Sequence, residues 1–302
     1  MKRALGLEIG RDFVAVCELT LASDGGLKRH RFARHVFTDP GEPAAEDIAD
    51  ACLRLTLELG IRSRTGVLAL ARSLTYAKPV HLPPVSLEER LLLLALQPER
   101  FFPVSERVLV CDLEPAENGS VPIAHAAEAG RVESLVEALG SRGFRIAAVL
   151  PAAAALLRAA TKAAPDLAAV NWVLVRAEGG DLTAHAYQSR ALRVSRRVTD
   201  FARDPAAACR ELSRTANQSF DGAPLQEVRW SGWRDLAPEW REAATAALPV
   251  PVRELSGLPV DGEGLAAYGA ALADLEETPR PDLMPATVRA RRRRQTRWVT
   301  AA

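Results

Sequence analysis

Paired acids, histidines, cysteines and a run of arginines are the residues of this 302-residue chain whose chemistry could matter, and most are spaced in ways that do not combine. Glu46 with Asp47 and Glu88 with Glu89 are sequence neighbours, which on a helix project to different faces, so they read as acidic helix starts and not as an acid/base pair. His30, His35, His81, His125 and His185 lie far apart, with no HExxH or HxH, which argues against a metal site. Cys17, Cys52, Cys111 and Cys209 form no CxxC and read as reduced, buried thiols without zinc. No GxSxG or Walker A loop is present. The residues assign no catalytic group and no metal ligand, and the sequence is read as a non-enzyme.

The strongest charge feature is the C-terminus. Pro281 to Ala302 holds six arginines against Asp282 alone, a net of +5 that leaves −4 for the rest of a chain whose total is +1. Arg291, Arg292, Arg293 and Arg294 are followed by Trp298 and small apolar residues, the order found on the cytoplasmic side of a membrane helix. These five residues are expected to meet an anionic membrane surface. Nucleic acid is the competing reading of an arginine run, and the acidic body speaks against it. The chain shows no apolar run of about 20 residues, and Met1 to Leu7 leads into a run containing Glu8, unlike a secretory signal. The sequence is expected to precede a membrane segment.

Composition places the rest among ordinary globular proteins, with 48% hydrophobic and 25% charged residues and length for about two domains. Ala4 to Gly10 and Phe13 to Leu19 read as a hairpin, Leu27 to Phe37 as a third strand, Glu46 to Gly60 as an amphipathic helix and Gly66 to Ala71 as a buried strand. Trp172 to Ala177, Leu182 to Gln188, Ala191 to Val198, Pro205 to Ser219 and Glu227 to Ser231 repeat that order, before a closing helix over Gly264 to Leu272. A duplicated βββαβ pattern suggests an α/β, actin-like fold of two RNase H-like domains facing a cleft. The expected division is 1–165 for the first domain, with an inserted α+β subdomain over about 73–143, then 166–278 for the second and 279–302 for a Pro-containing linker and basic tail. Within the insert, Ser86 and Glu89 predict a capping box on a helix whose Leu91 to Leu96 run is either fully buried, the favoured reading, or a partner-binding face.

The stretch HLPPVSLEERLLLLALQPERFFPVSERVLVCDLEP, with Leu82-Pro83, the Phe101-Phe102-Pro103 turn and Asp112 on a strand, resembles the type IV pilus M protein and the cytoplasmic domain of the type II secretion L protein. LGLEIGRDFVAVCEL resembles that family's opening hairpin. DLMPATVRARRRR resembles the juxtamembrane start of the pilus N protein, which in the family docks on the M protein. The resemblance implies a non-catalytic cytoplasmic scaffold at the bacterial inner membrane. Its partners would be other platform proteins and the secretion or pilus assembly ATPase, with homodimerisation left open. Leu283, Met284 and Pro285 would dock as an extended peptide, in cis or on a neighbouring copy; the Pro-rich spacer Thr278 to Asp282 and the two large apolar residues before Pro285 suit that reading, and a disordered linker on the way to a membrane helix is the alternative. The runner-up is an active actin-like ATPase or kinase.

In actin-like ATPases an Asp-x-Gly-Thr loop positions metal-bound water and wraps the phosphates. This chain has Glu8-Ile9-Gly10-Arg11. The second loop offers Arg176 in place of a carboxylate before Gly179, and at the adenosine turn Trp233 follows Gly232 where a second glycine is usual. Glu8, Gly10, Gly179 and Gly232 thus outline a degenerate cleft, expected to hold no cofactor, ATP included.

Overall fold

The computed structural model describes residues 2–24, 26–39, 41–104, 108–114, 121–178, 181–199, 204–220, 222–232, 237–260, 262–276 and 281–290. The first lobe begins with β1 (Lys2–Ile9), β2 (Phe13–Leu21) and β3 (Leu27–Val36), then α1 (Ala45–Glu58) and β4 (Thr65–Leu70). An excursion follows through β5 (Thr75–Pro79), α2 (Leu87–Leu96), β6 (Leu109–Glu114) and β7 (Ile123–Glu128). The chain then returns through α3 (Ala129–Ser141), β8 (Arg145–Pro151) and α4 (Ala152–Ala163). The first sheet runs β3-β2-β1-β4-β8 and the insert sheet β5-β7-β6. β1, β2 and β4 are buried along most of their length because helices cover both faces, whereas β3, at the edge, leaves Lys28, Arg29 and His30 exposed.

The second lobe repeats the scheme with β9 (Asn171–Glu178), β10 (Asp181–Gln188), β11 (Ala191–Val198), α5 (Pro205–Gln218), β12 (Glu227–Ser231), α6 (Pro238–Ala247), β13 (Val252–Glu254) and α7 (Leu265–Ala273), in a sheet ordered β11-β10-β9-β12-β13. The two sheets share one strand order, which makes the lobes structural duplicates. α6 and β13 have no counterpart in the sequence reading.

The lobes meet through α4 and α7, a pair of Ala-rich helices layered between the sheets. Ala4, Ala15 and Cys17 of the first sheet and Trp172, Leu174 and Tyr187 of the second enclose them in one core. Small side chains permit the close approach. A Cβ on Gly269 would lie 1.9 Å from the Ala155 carbonyl oxygen, and one on Gly6 would lie 2.0 Å from the Ala267 carbonyl oxygen. Tyr187 stacks on Trp172 and its hydroxyl donates to the Ala153 carbonyl at 2.7 Å. The closing helix α7, grouped by sequence with the second domain, packs mainly on β1, β2, β4 and α4.

The insert differs from its sequence reading in two respects. α3, placed inside the insert by the 73–143 boundary, packs on α1 and the first sheet, where Val132, Leu135 and Leu139 join the core of Leu5, Leu7 and Ile48. The capping box forms, with the Glu89 N–H donating to Ser86 Oγ and the Ser86 N–H to Glu89 Oε2. The favoured reading of a fully buried α2 does not hold. Only Leu94 is buried against Val80, Phe102, Leu109 and Leu113, because a three-stranded sheet covers one side of the helix and nothing among the described residues covers the other. Cys17, Cys52 and Cys209 are buried thiols, while Cys111, on β6, is half-buried.

Candidate functional site

Two sites converge on the first lobe: the cleft between the lobes, and a groove along the edge of the first sheet.

Glu8 stands near the end of β1 and Arg176 near the end of β9, the equivalent strands of the two lobes. Across the cleft they form a bidentate ion pair. Arg176 Nη1 donates to Glu8 Oε1 at 2.6 Å and Nη2 to Glu8 Oε2 at 3.0 Å, with the side chains 1% and 0% exposed. Nη2 also donates to the Glu263 carbonyl at 3.2 Å. That carbonyl belongs to the turn Gly262–Gly264, which α7 brings to the cleft. The Glu263 carboxylate pairs with Arg34, whose guanidinium lies 4.5 Å over the Phe13 ring. Gly10 is packed as well, since a Cβ there would fall 2.0 Å from that ring. Gly232 adopts φ +79°, a turn conformation suited to glycine, and gives its N–H to Glu254 Oε1 at 3.0 Å. Gly179 and Trp233 lie outside the described residues. Arg11 is exposed.

These residues do not fit a magnesium nucleotide. Glu8, which stands where the first loop's metal-directed carboxylate would, has both oxygens committed to a guanidinium, so the cationic partner that a phosphate-bound metal would supply is already provided by the chain. No group of three or more His, Cys, Asp or Glu able to hold a metal occurs among the described residues.

The structure also contains a serine–histidine contact that sequence spacing did not show. Ser195 Oγ lies 3.1 Å from His185 Nδ1, because β10 and β11 pair antiparallel with these two residues opposite each other. Burial, with Arg72, Arg176 and His125 adding to it, pushes the His185 pKa down to about 3. An imidazole so held is a poor general base at neutral pH. The other buried histidine, His125, is 3.0 Å from Glu114 Oε2, and Glu114 Oε1 accepts the Leu192 N–H at 3.1 Å. That chain of contacts ties the insert to the second lobe.

The second site is built by the segment 281–290. Its residues 282–284 run beside β8, the edge strand of the first sheet. The Leu283 N–H donates to the Val149 carbonyl at 2.6 Å and the Val149 N–H to Asp282 Oδ1 at 2.9 Å. The Asp282 N–H in turn donates to Asp112 Oδ2 at 2.7 Å, so the insert holds the segment from the other side. Leu283 and Met284 are buried, as is Pro285, and with Val288 the two large side chains join the core between α1, α3 and the first sheet. Residues 286–290 form a helical turn. Arg289 closes it back on Asp282, 2.9 Å from Oδ2. Burial raises the Asp282 pKa against the opposing pull of the Val149 N–H, Arg289 and the Met284 N–H, and the neighbouring Asp112 raises it further. Arg291, Arg292, Arg293, Arg294 and Trp298 lie outside the described residues, and no helix among the described residues is long and apolar enough to cross a membrane.

The fold is actin-like. The chain superposes on a structure of the PilM-PilN type IV pilus biogenesis complex with a TM-score of 0.68 at 19% identity, over 90% of this chain and 98% of that one. For the cytoplasmic domain of EpsL, an inner-membrane component of the type II secretion system of Vibrio cholerae, the TM-score is 0.57 at 12% identity, over 95% and 99%. An inorganic polyphosphate/ATP-glucomannokinase from Arthrobacter sp. strain KM gives 0.52 at 13%, over 91% and 99%. No family model and no curated protein matches the chain. Pilus, secretion and kinase proteins share this architecture, so the fold leaves activity to be argued from the site.

Proposed function

We propose that this chain is a non-catalytic cytoplasmic scaffold of a bacterial inner-membrane assembly platform, in type II secretion or type IV pilus biogenesis, linking membrane components to the assembly ATPase. The observation that carries the reading is the seating of Leu283, Met284 and Val288 in the first lobe directly before the arginine run. A segment bound along a sheet edge gives the body a fixed exit toward the membrane surface that Arg291 to Arg294 and Trp298 would meet. The likeness of fold to the PilM-PilN complex and to EpsL supports the same reading, as does the segment's resemblance to the pilus N protein, here carried on the same chain as the body that receives it. The Glu8–Arg176 pair supports the absence of catalysis and of a bound nucleotide. It joins the lobes with the chain's own charges where an ATPase or kinase would use a metal and phosphates.

The test is complementation in a source bacterium lacking the chain. Wild type is expected to restore piliation or secretion, a Leu283→Asp/Met284→Asp variant to fail while circular dichroism of the purified variant still reports a folded body, and a Glu8→Leu/Arg176→Met variant to succeed. Full function of the first variant, or nucleotide turnover by the purified wild type, would overturn the proposal.

A further inference from the structure

A cavity of about 520 Å³ opens where the α4–α7 layer, the second lobe, the insert and the docked segment meet, away from the Glu8–Arg176 pair. Its volume is that of a small-molecule site, and junctions between domains are where such sites concentrate. The floor is apolar. Ala154 and Leu157 of α4, Leu272 of α7, Pro165 and, from the docked segment, Pro281 line it. Leu157 and Leu272 are half-buried, packed on one side against the core that the two lobes share.

Five charged side chains among the described residues stand around that floor, and the chain neutralises three of them itself. Arg158 donates to both oxygens of Glu276, from Nε at 2.7 Å and Nη2 at 2.8 Å. Glu114 accepts the Leu192 N–H on one oxygen and meets His125 with the other. The remaining two are cations. Lys162, in the last turn of α4, and Arg190, in the turn between β10 and β11, are exposed and enter no ion pair among the described residues.

We propose that this cavity binds a small amphiphilic acid, one carboxylate on an apolar body, with the head between Lys162 and Arg190 and the body on Leu157 and Leu272. A wholly polar anion would leave the aliphatic floor in water, and a wholly apolar molecule would desolvate the two cations without pairing them. At roughly 30 Å³ per non-hydrogen atom, the share of a water molecule in its liquid, the cavity has room for about 17 such atoms, enough for a medium-chain carboxylate and too few for the roughly 30 of a nucleoside triphosphate. The Thr161 hydroxyl on the cavity wall already donates to the Leu157 carbonyl at 2.8 Å, so it asks for no partner in the ligand.

The probe is decanoate, with acetate as the head alone and decanol as the body alone. Titration calorimetry of the full chain should show saturable decanoate binding tighter than about 1 mM, the affinity that about 12 non-hydrogen atoms reach at the efficiency of ordinary ligands, and binding of either fragment at least about tenfold weaker. Lys162→Glu/Arg190→Glu should weaken decanoate about tenfold and leave decanol unchanged, with an unaltered circular dichroism spectrum because both side chains are exposed. Thr161→Trp, which fills the cavity from α4, should weaken both. Methyl resonances place the ligand directly. Those of Leu157 and Leu272 should shift on saturation, while those of Leu92 and Leu96, which stand 56% and 68% exposed on α2 and offer any amphiphile an unselective surface, should stay. No decanoate binding up to several millimolar, decanol binding as tightly as decanoate, decanoate affinity that survives the charge reversal, or shifts at Leu92 and Leu96 in place of Leu157 and Leu272 would each overturn the proposal.

Discussion

Replacing Arg176 by methionine keeps most of its volume and removes its charge, which leaves the Glu8 carboxylate in a site with no exposure and without the two guanidinium bonds of 2.6 and 3.0 Å. Removing one partner of a buried pair costs about 3–5 kcal/mol, chiefly because the remaining charge is stranded. The reciprocal Glu8→Leu change takes the carboxylate from the guanidinium, which keeps the Glu263 carbonyl at 3.2 Å, and should also destabilise. The double variant Glu8→Leu/Arg176→Met leaves neither charge of this pair stranded, although it takes one donor from the Glu263 carbonyl. Replacement of a buried ion pair by apolar side chains of similar volume is commonly neutral or stabilising. The double variant should therefore lie within about 1 kcal/mol of wild type, giving a coupling of several kcal/mol in a double-mutant cycle measured by urea unfolding. Single variants each costing under about 1 kcal/mol, or a double variant costing the sum of both, would refute the view that this pair closes the cleft and joins the lobes.

Other outcomes follow from the docked segment and the helix sandwich. Leu283→Ala should lower stability by about 2–4 kcal/mol in urea unfolding, since the side chain is fully buried in the first lobe's core. Gly269→Val should prevent assembly of the lobes, seen as loss of soluble folded protein, because its side chain would meet the α4 backbone at Ala155. Asp282 has its pKa raised by docking, so the docked state holds that proton more tightly than the free segment does. Docking should strengthen as pH falls through the carboxyl range and lose that share as pH rises above the raised value. Hydrogen exchange of the Leu283 and Met284 amides, corrected for intrinsic rates, reads this, and Asp282→Asn should flatten the dependence. Deleting residues 289–302 should abolish a weak, salt-reversible attraction to phosphatidylglycerol vesicles, as each arginine near an anionic leaflet contributes about 1 kcal/mol.

The duplicated lobes were legible because their signals are local. Uninterrupted apolar runs in β1, β2 and β9 and the helical spacing of Ile48, Cys52 and Leu55 specify each element within a dozen residues. The Glu8–Arg176 pair was half legible. Each residue stands out as a departure from a phosphate loop, but 168 residues separate them, and nothing local says that each departure is the other's partner. The packing of α7 on the first sheet escaped for the same reason, since its Ala-rich sequence suits either lobe. α2 misled because four consecutive leucines resemble a helix buried all round, and only the small size of the insert sheet decides how many are covered. α6 and β13 are short, α6 opening on Pro238 and β13 following Pro249 and Pro251, and periodicity has too few residues there to register. Leu283 and Met284 were legible as a candidate docking segment from composition. The edge of β8 and the Asp112 carboxylate that receive it were not, because they arise only when the insert and the first sheet come together.

The most direct test of the central claim, that the chain's own ion pair stands where a nucleotide's metal and phosphates would, is titration calorimetry of the purified wild type with ATP and excess magnesium. The account predicts no heat of binding up to millimolar nucleotide, the range in which an ATP-using protein of this fold would be saturated at micromolar to millimolar affinity. Saturable binding at micromolar affinity, abolished by Glu8→Ala, would contradict it, because that result would require Glu8 to release Arg176 and serve a metal instead.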